Sequence, residues 1–192
     1  MCRCSELSCR IGNRQPTKDK KLGYFRDGRT YADAAYRVNP NSSESNIVMA
    51  FSMARMAIVE GSKEKVASAG AIKQYAEKAI RADPTNFKPY HILGRWHYEI
   101  SNLNAIERTF AKWFVAPLPA ASLDESIRNF EKSKALAPSF IPNYLELAKA
   151  YKRADQKARA LQLLRQMAIL PDKMQDDARA KAEGRKLLED WN

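Results

Sequence analysis

Cysteine and histidine are scarce in this sequence of 192 residues. The three cysteines, Cys2, Cys4 and Cys9, all lie at the N-terminus, whereas the two histidines, His91 and His97, are remote from them and six positions apart. A structural zinc site normally needs four ligands, so this spacing predicts no metal site, and nothing in the sequence indicates a cofactor. We expect the cysteines to be exposed thiols on a disordered tail.

Glycine is also scarce, and its seven residues are scattered along the chain. The sequence contains no glycine-rich phosphate loop, no G-x-S-x-G and no H-E-x-x-H motif. Its adjacent carboxylates, Asp176 and Asp177, would point apart on a helix, so they do not form a paired acid and base. We therefore predict that the protein is not an enzyme.

Long apolar runs are absent as well. No stretch approaches the ~20 apolar residues that a membrane span needs, and the N-terminus lacks the apolar core of a signal peptide. We therefore expect a cytoplasmic protein without a transmembrane segment. Residues 1–14 are nevertheless unlike the start of a folded repeat. We expect this N-terminus to differ from the natural one, with any targeting segment lost.

Positive charge, in contrast, is abundant. The formal net charge is +11, and residues 1–31 alone carry eight basic and three acidic residues. This excess favours contact with acidic proteins, anionic lipid or nucleic acid, but does not choose among them. We predict a basic, disordered tail over 1–21 and a folded domain over 22–192.

Four prolines divide the folded part into repeats. Pro40, Pro84, Pro138 and Pro171 each follow a helical pattern, at intervals of 44, 54 and 33 residues. Proline just past a helix ends it, because the ring removes a donor and clashes with the preceding turn. The last interval matches the ~34-residue tetratricopeptide unit. The predicted helices are 22–38, 44–60, 64–82, 87–101, 104–115, 122–137, 141–153, 156–169 and 173–190.

The helices that follow two of these prolines share a phrase. The pattern is an aromatic residue, a leucine three positions later and then a small residue. It occurs from Tyr90 to Gly94 and again from Tyr144 to Ala148. This is typical of the first helix of a tetratricopeptide hairpin, whose small residue admits the second helix. We predict an all-α, right-handed α-solenoid of three to four helical hairpins, with a C-terminal capping helix.

An insertion over 101–121 separates the two helices of the central repeat. It contains an amphipathic helix whose apolar face is formed by Ile106, Phe110, Trp113 and Phe114. This helix either packs on the repeat stack and stabilises it, or forms the wall of an apolar-ligand site. In the second case, Arg108 and Lys112 would contact a phospholipid head group.

Several phrases of this sequence recur in one protein family. They are Leu93-Gly94-Arg95-Trp96-x-Tyr98, Pro117-Leu118-Pro119-Ala120, Leu147-Ala148-Lys149-x-Tyr151-Lys152, and Leu170-Pro171-Asp172 with Asp176-Asp177. On these residues the chain resembles the regulator of microtubule dynamics family. The resemblance implies a helical repeat fold and a link to microtubules, or to membrane contact sites with phospholipid bound by the repeat domain. It carries over no catalytic residues, and the transmembrane anchor of some relatives is not seen in this sequence.

A partner-binding groove follows from the repeat pattern. The first helix of each tetratricopeptide hairpin lines the inner surface, at positions flanking the small residue. The groove residues predicted on this basis are Arg55, His91, Arg95, Tyr98, Glu99, Leu145, Lys149, Lys152 and Arg153. Their excess of cations suits an acidic peptide or protein surface, because arginine holds two carboxylate oxygens at once.

A protein-interaction scaffold is therefore the predicted function, and phospholipid or another apolar ligand is the alternative. We expect no nucleic-acid partner, because the aromatic residues fall on packing positions rather than alternating with basic ones.

Overall fold

The computed structural model describes residues 1–114 and 118–191, and over 110–114 it describes the backbone alone. All secondary structure in these residues is helical, which confirms the predicted all-α class. The helices are α1 (Cys2–Asn13), α2 (Lys18–Val38), α3 (Ser43–Glu60), α4 (Ser62–Ala82), α5 (Phe87–Ser101), α6 (Ala105–Phe114), α7 (Leu123–Leu136), α8 (Ile141–Arg153), α9 (Lys157–Ile169) and α10 (Asp177–Trp191).

The helices stack as hairpins. Helix α1 packs on α2, α3 on α4, α5 on α7 and α8 on α9, giving four hairpins in the described part of the chain. The first helix of each hairpin also contacts the first helix of the next, from α1 through α3 and α5 to α8. Helix α6 is inserted between α5 and α7, and α10 covers α8 and α9 as the predicted cap. The first helices therefore share one inner face.

Proline ends the helices where the sequence predicts it. Helices α2, α4, α7 and α9 end at Val38, Ala82, Leu136 and Ile169, each two residues before a proline. Several helix starts are fixed by side-chain caps. The side-chain oxygens of Thr17, Asn86 and Ser122 accept hydrogen bonds from backbone amides in the first turns of α2, α5 and α7.

Close helix contact in the third hairpin depends on Gly94. A Cβ atom at this position would lie 2.5 Å from Cδ1 of Phe130 on α7. Phe130 is fully buried, and the Ser126 hydroxyl donates to the Gly94 carbonyl at 2.7 Å. The small residue of the next hairpin, Ala148, is buried as well. Both predicted packing positions therefore lie in the core.

The structure differs from the sequence prediction at the N-terminus. Residues predicted to be a disordered tail form α1, and Cys9, predicted to be exposed, is fully buried against Leu22 and Phe25 of α2. The buried face of α1 consists of Ser5, Cys9 and Gly12. These small residues let α1 lie close to α2, and a search for bulky apolar side chains overlooks such a face.

The insertion forms α6 close to its predicted position. Ile106 is 82% exposed, so it does not pack on the repeat stack. The side chains of Phe110, Trp113 and Phe114 lie outside the described residues. None of the described helices is both long enough and apolar enough to span a bilayer.

Candidate ligand-binding cavity

The inner face of the helix stack encloses a cavity of about 470 Å³. Residues from α1, α3, α5, α8 and the C-terminal region line it. Its volume falls within the range of roughly 300–1,000 Å³ that is typical of ligand pockets. Its apolar walls include Phe51, Phe87, Phe140 and Leu145. A smaller cavity of about 60 Å³ adjoins it through shared residues on α3 and α5.

The structure brings five of the predicted groove residues together. These lining residues are Arg55, His91, Arg95, Leu145 and Lys149. They come from α3, α5 and α8, at the helix positions nearest the small residues that pack between helices.

The other predicted groove residues do not line this cavity. Arg153 lies 5.1 Å over the Tyr98 ring and donates to the Tyr98 carbonyl at 2.8 Å, and Lys152 lies 6.0 Å over Trp191. Glu99 lines the smaller cavity and pairs with Lys65 at 2.7 Å. These residues lie one helical turn farther along α5 and α8, beyond the central cavity.

Most cations of the cavity are neutralised by the chain's own carboxylates. Arg95 contacts Glu99 and Glu146 at 3.5 and 3.6 Å, and Lys149 contacts Glu146 at 3.5 Å and Glu183 at 2.6 Å. Burial opposes ionisation of Glu146, but Arg95 and Lys149 outweigh that effect and hold the pKa of this carboxyl below its usual value. The predicted groove cations Arg95 and Lys149 are therefore less available to a ligand than their charge suggests.

Arg55 is different, because no carboxylate of the described residues lies within ion-pair distance of it. Its Nη1 donates to Asn13 Oδ1 at 3.3 Å, and its guanidinium lies 5.0 Å over the Phe51 ring. Burial, and then repulsion from Arg95, lower the pKa of Arg55 to about 10. The side chain stays charged at neutral pH, so the cavity contains, against an aromatic wall, a cation that has no ion-pair partner among the described residues and is attracted by Glu146 only at longer range.

The tautomer of His91 is set by its hydrogen bond, and its charge at pH 7 is set by burial. The Asn143 amide donates to the Phe130 carbonyl at 2.8 Å, so Asn143 Oδ1 accepts at 2.9 Å from His91 Nδ1, which carries the proton. Burial lowers the pKa of His91 to about 4, so the ring is neutral at pH 7. Asn143 was not predicted, because its role depends on a contact with a carbonyl of the preceding helix.

One side of the cavity is closed by contacts between the first and last helices. Arg10 Nε and Arg14 Nη1 each lie 3.3 Å from a carboxylate oxygen of Asp176, and Arg179 Nη1 donates to the Asn13 carbonyl at 3.1 Å. Asp177 points elsewhere. It is buried and accepts from two backbone amides before α10. The sequence prediction missed this closure, because it treated α1 as a tail.

Comparison with solved structures supports the repeat fold. A thermophilic TPR protein of Thermus thermophilus matches with a TM-score of 0.61 and 14% identity, over 97% of this chain and 85% of that protein. At this level of identity the match shows the fold alone.

Sequence comparison gives the family. "Regulator of microtubule dynamics protein 1" of Caenorhabditis elegans is 29% identical over 190 residues, covering 98% of this chain and 82% of that protein. Protein 3 of Xenopus laevis is 31% identical over 159 residues, but this chain covers only 34% of its length. For human protein 1 the identity is 28%, and the chain covers 56% of its length. The family model described as "Regulator of microtubule dynamics protein 1-3" matches residues 1–192, and the chain therefore belongs to the regulator of microtubule dynamics family.

Proposed function

We propose that this chain is a non-enzymatic interaction domain that binds a short acidic segment of a protein partner in its central cavity. The observation that carries the proposal is the cation Arg55 on the cavity wall, which has no ion-pair partner among the described residues. A desolvated cation without a counter-ion is costly, so a carboxylate that reaches it gains a charge-assisted hydrogen bond.

The dimensions and walls of the cavity narrow the kind of partner. A volume of about 470 Å³ admits side chains or a short stretch of chain, but not a folded surface. The aromatic and aliphatic walls favour apolar residues next to the acidic ones. The expected ligand is therefore a flexible segment in which glutamate or aspartate alternates with apolar residues.

The names of the relatives supply a candidate source for this segment. Relatives of this chain are called regulators of microtubule dynamics, and the net charge of +11 suits an acidic microtubule surface. Such a partner would place the domain in the cytoplasm. Binding should weaken as salt is added, because the screening length falls from about 10 Å at 0.1 M to about 3 Å at 1 M.

The test compares two arginines of equal charge. Arg55→Gln should weaken binding of a fluorescein-labelled glutamate–leucine peptide, measured by anisotropy, by about tenfold or more. Microtubule co-sedimentation should fall in parallel. Arg26→Gln is the matched control, because Arg26 is exposed on the outer face of α2. Equal losses in both variants would indicate diffuse charge attraction and would contradict a role for the cavity.

An anionic phospholipid is the second candidate. The same apolar walls that border Arg55 would suit acyl chains, with the phosphate on the guanidinium. The predicted lipid wall on α6 contributes Ile106, whose side chain is exposed. Native mass spectrometry of the purified protein should then show bound lipid in the wild type and less in Arg55→Gln. A lipid-free spectrum would eliminate this candidate.

A further inference from the structure

The cavity is closed on one side by a seam between α1 and the segment that begins α10. Helices α1 and α10 do not pack against each other in the described part of the chain. Long side chains join them instead, through Arg10 and Arg14 to Asp176 and through Arg179 to the Asn13 carbonyl. This closure is therefore ionic and polar.

The opposite face of α1 is held in a different way. Cys9 is buried against Leu22 and Phe25 of α2, in an apolar contact that salt does not screen. The side chains of Arg10 and Arg14 keep 23% and 30% of their exposure in the seam, against 16% for Asp176. Ion pairs this accessible to water contribute little and are screened by salt. The seam should thus open more easily than α1 leaves α2.

Asp176 presents to the cavity the same chemical group as the proposed ligand. Both Asp176 and Arg10 line the cavity, so the carboxylate already occupies cations that an acidic segment would otherwise contact. Asn13 couples the seam to the interior, because its carbonyl accepts from Arg179 and its side chain accepts from Arg55. Movement of α1 away from α10 would break the hydrogen bond to Arg179, whereas the one to Arg55 joins α1 to α3.

We propose that Asp176 is an internal stand-in for the acidic ligand. In the free protein its carboxylate closes the seam by pairing with Arg10 and Arg14, and an acidic segment that enters the cavity displaces it from both arginines. This inference rests on the proposed function. It adds where the acidic segment enters the cavity and which ion pairs regulate that entry. Arg10 then joins Arg55 as a cavity-lining cation that an acidic segment can contact.

The first arm of the test measures the seam without any ligand. Spin labels are placed on Cys4, which is exposed on α1, and on Ala182→Cys, which is exposed on α10, in a Cys2→Ser background. Asp176→Asn should lengthen and broaden the distance distribution between the two labels. Asp172→Asn is the matched control, because Asp172 pairs with Lys181 in the same C-terminal segment and not with α1.

Charge reversal with restoration distinguishes loss of the ion pairs from loss of the fold. Arg10→Glu with Arg14→Glu should open the seam, and adding Asp176→Arg should restore the wild-type distances. An Asp176→Asn distribution identical to that of the wild type would overturn the proposal. So would a change of the same size in Asp172→Asn.

The second arm titrates the labelled glutamate–leucine peptide. Asp176→Asn should bind it about threefold to tenfold more tightly than the wild type, since two weak ion pairs no longer compete. Asp172→Asn should bind as the wild type does. Wild-type affinity in Asp176→Asn would overturn the stand-in role. If no variant binds the peptide while Asp176→Asn still opens the seam, the proposed function fails and the ionic closure stands.

Discussion

The first and third hairpins use the same packing device with different residues. In the third hairpin, Gly94 admits the Phe130 ring, and the Ser126 hydroxyl donates to the Gly94 carbonyl at 2.7 Å. In the first hairpin, Gly28 admits the Cys9 thiol, and the Ser5 hydroxyl donates to the Gly28 carbonyl at 2.7 Å.

The first hairpin also has a ring contact, because a Cβ at Gly12 of α1 would lie 2.7 Å from Cε1 of the buried Phe25 of α2. The difference lies in what fills the contact at Gly28, which is a thiol and not a ring. A phenyl ring removes far more apolar surface from water than a thiol does, and it is easily recognised in a sequence. A helix that packs through serine, cysteine and glycine looks polar, although its backbone lies close to the partner helix. Two close contacts between helices can therefore differ in how much stability they contribute and in how readily a sequence reveals them.

The largest loss of stability should come from removing the buried ring in the third hairpin. Phe130→Ala should lower the free energy of unfolding by about 3–5 kcal/mol, because it removes a fully buried ring and leaves a cavity. Cys9→Ala removes one sulfur atom and should cost about 1 kcal/mol. Urea denaturation followed by circular dichroism measures both. Similar losses in the two variants would remove the proposed difference between the two contacts.

Acid should weaken the third hairpin through His91. The folded protein holds this pKa at about 4, below the usual 6.5, so the unfolded chain takes up the proton first as pH falls. The contribution of neutral His91 to the free energy of unfolding is complete above pH 6.5. It declines as pH falls towards 4, by on the order of 2–3 kcal/mol. Denaturation of the wild type and His91→Gln at several pH values measures the difference. Parallel pH profiles for the two proteins would contradict this assignment.

Alkali should weaken the first hairpin through Cys9. Burial raises the pKa of this thiol from 9.0 to about 12, so above pH 9 the unfolded chain loses its proton while the folded chain keeps it. The contribution is complete below pH 9 and should fall by on the order of 1 kcal/mol at pH 10. Cys9→Ala should lack this component of the pH profile. Loss of the same slope in both proteins would assign it to other groups.

The smallest effect should come from crowding the first hairpin. In Gly28→Ala the new methyl would meet Cys9 Sγ at 2.6 Å, so overpacking outweighs the gain in helix propensity by about 1 kcal/mol. Cys9→Ala makes room for the methyl, so the double variant should be more stable than the sum of the single changes predicts. Strict additivity in this double-mutant cycle would show that the two residues do not compete for space.

The repeat fold could be predicted from proline positions, aromatic residues and small residues. All four stop prolines follow helix ends, and the boundaries of α5 and α8 agree with the predicted ones. The α1 helix was missed, because the prediction relied on bulky apolar side chains and the buried face of α1 consists of Ser5, Cys9 and Gly12. A sequence pattern shows which residues are large and apolar, and not how closely two backbones approach.

The candidate cavity was predictable in part. His91, Arg95, Leu145 and Lys149 follow from a helical offset, and all four line the cavity, from α5 and α8. Their neutralisation by Glu146 could not be seen, because it depends on the distance between two helices. The seam at Asp176 joins residues more than 160 positions apart, and no local pattern contains that contact.

The charge of Arg55, which has no ion-pair partner among the described residues, is proposed to receive an acidic ligand inside the cavity. Side-chain NMR of arginine Nε groups, recorded while the glutamate–leucine peptide is added, reports on that charge directly. We expect a saturable shift of the Arg55 signal and an unchanged Arg26 signal. Shifts confined to exposed arginines, with Arg55 unmoved at saturation, would contradict it.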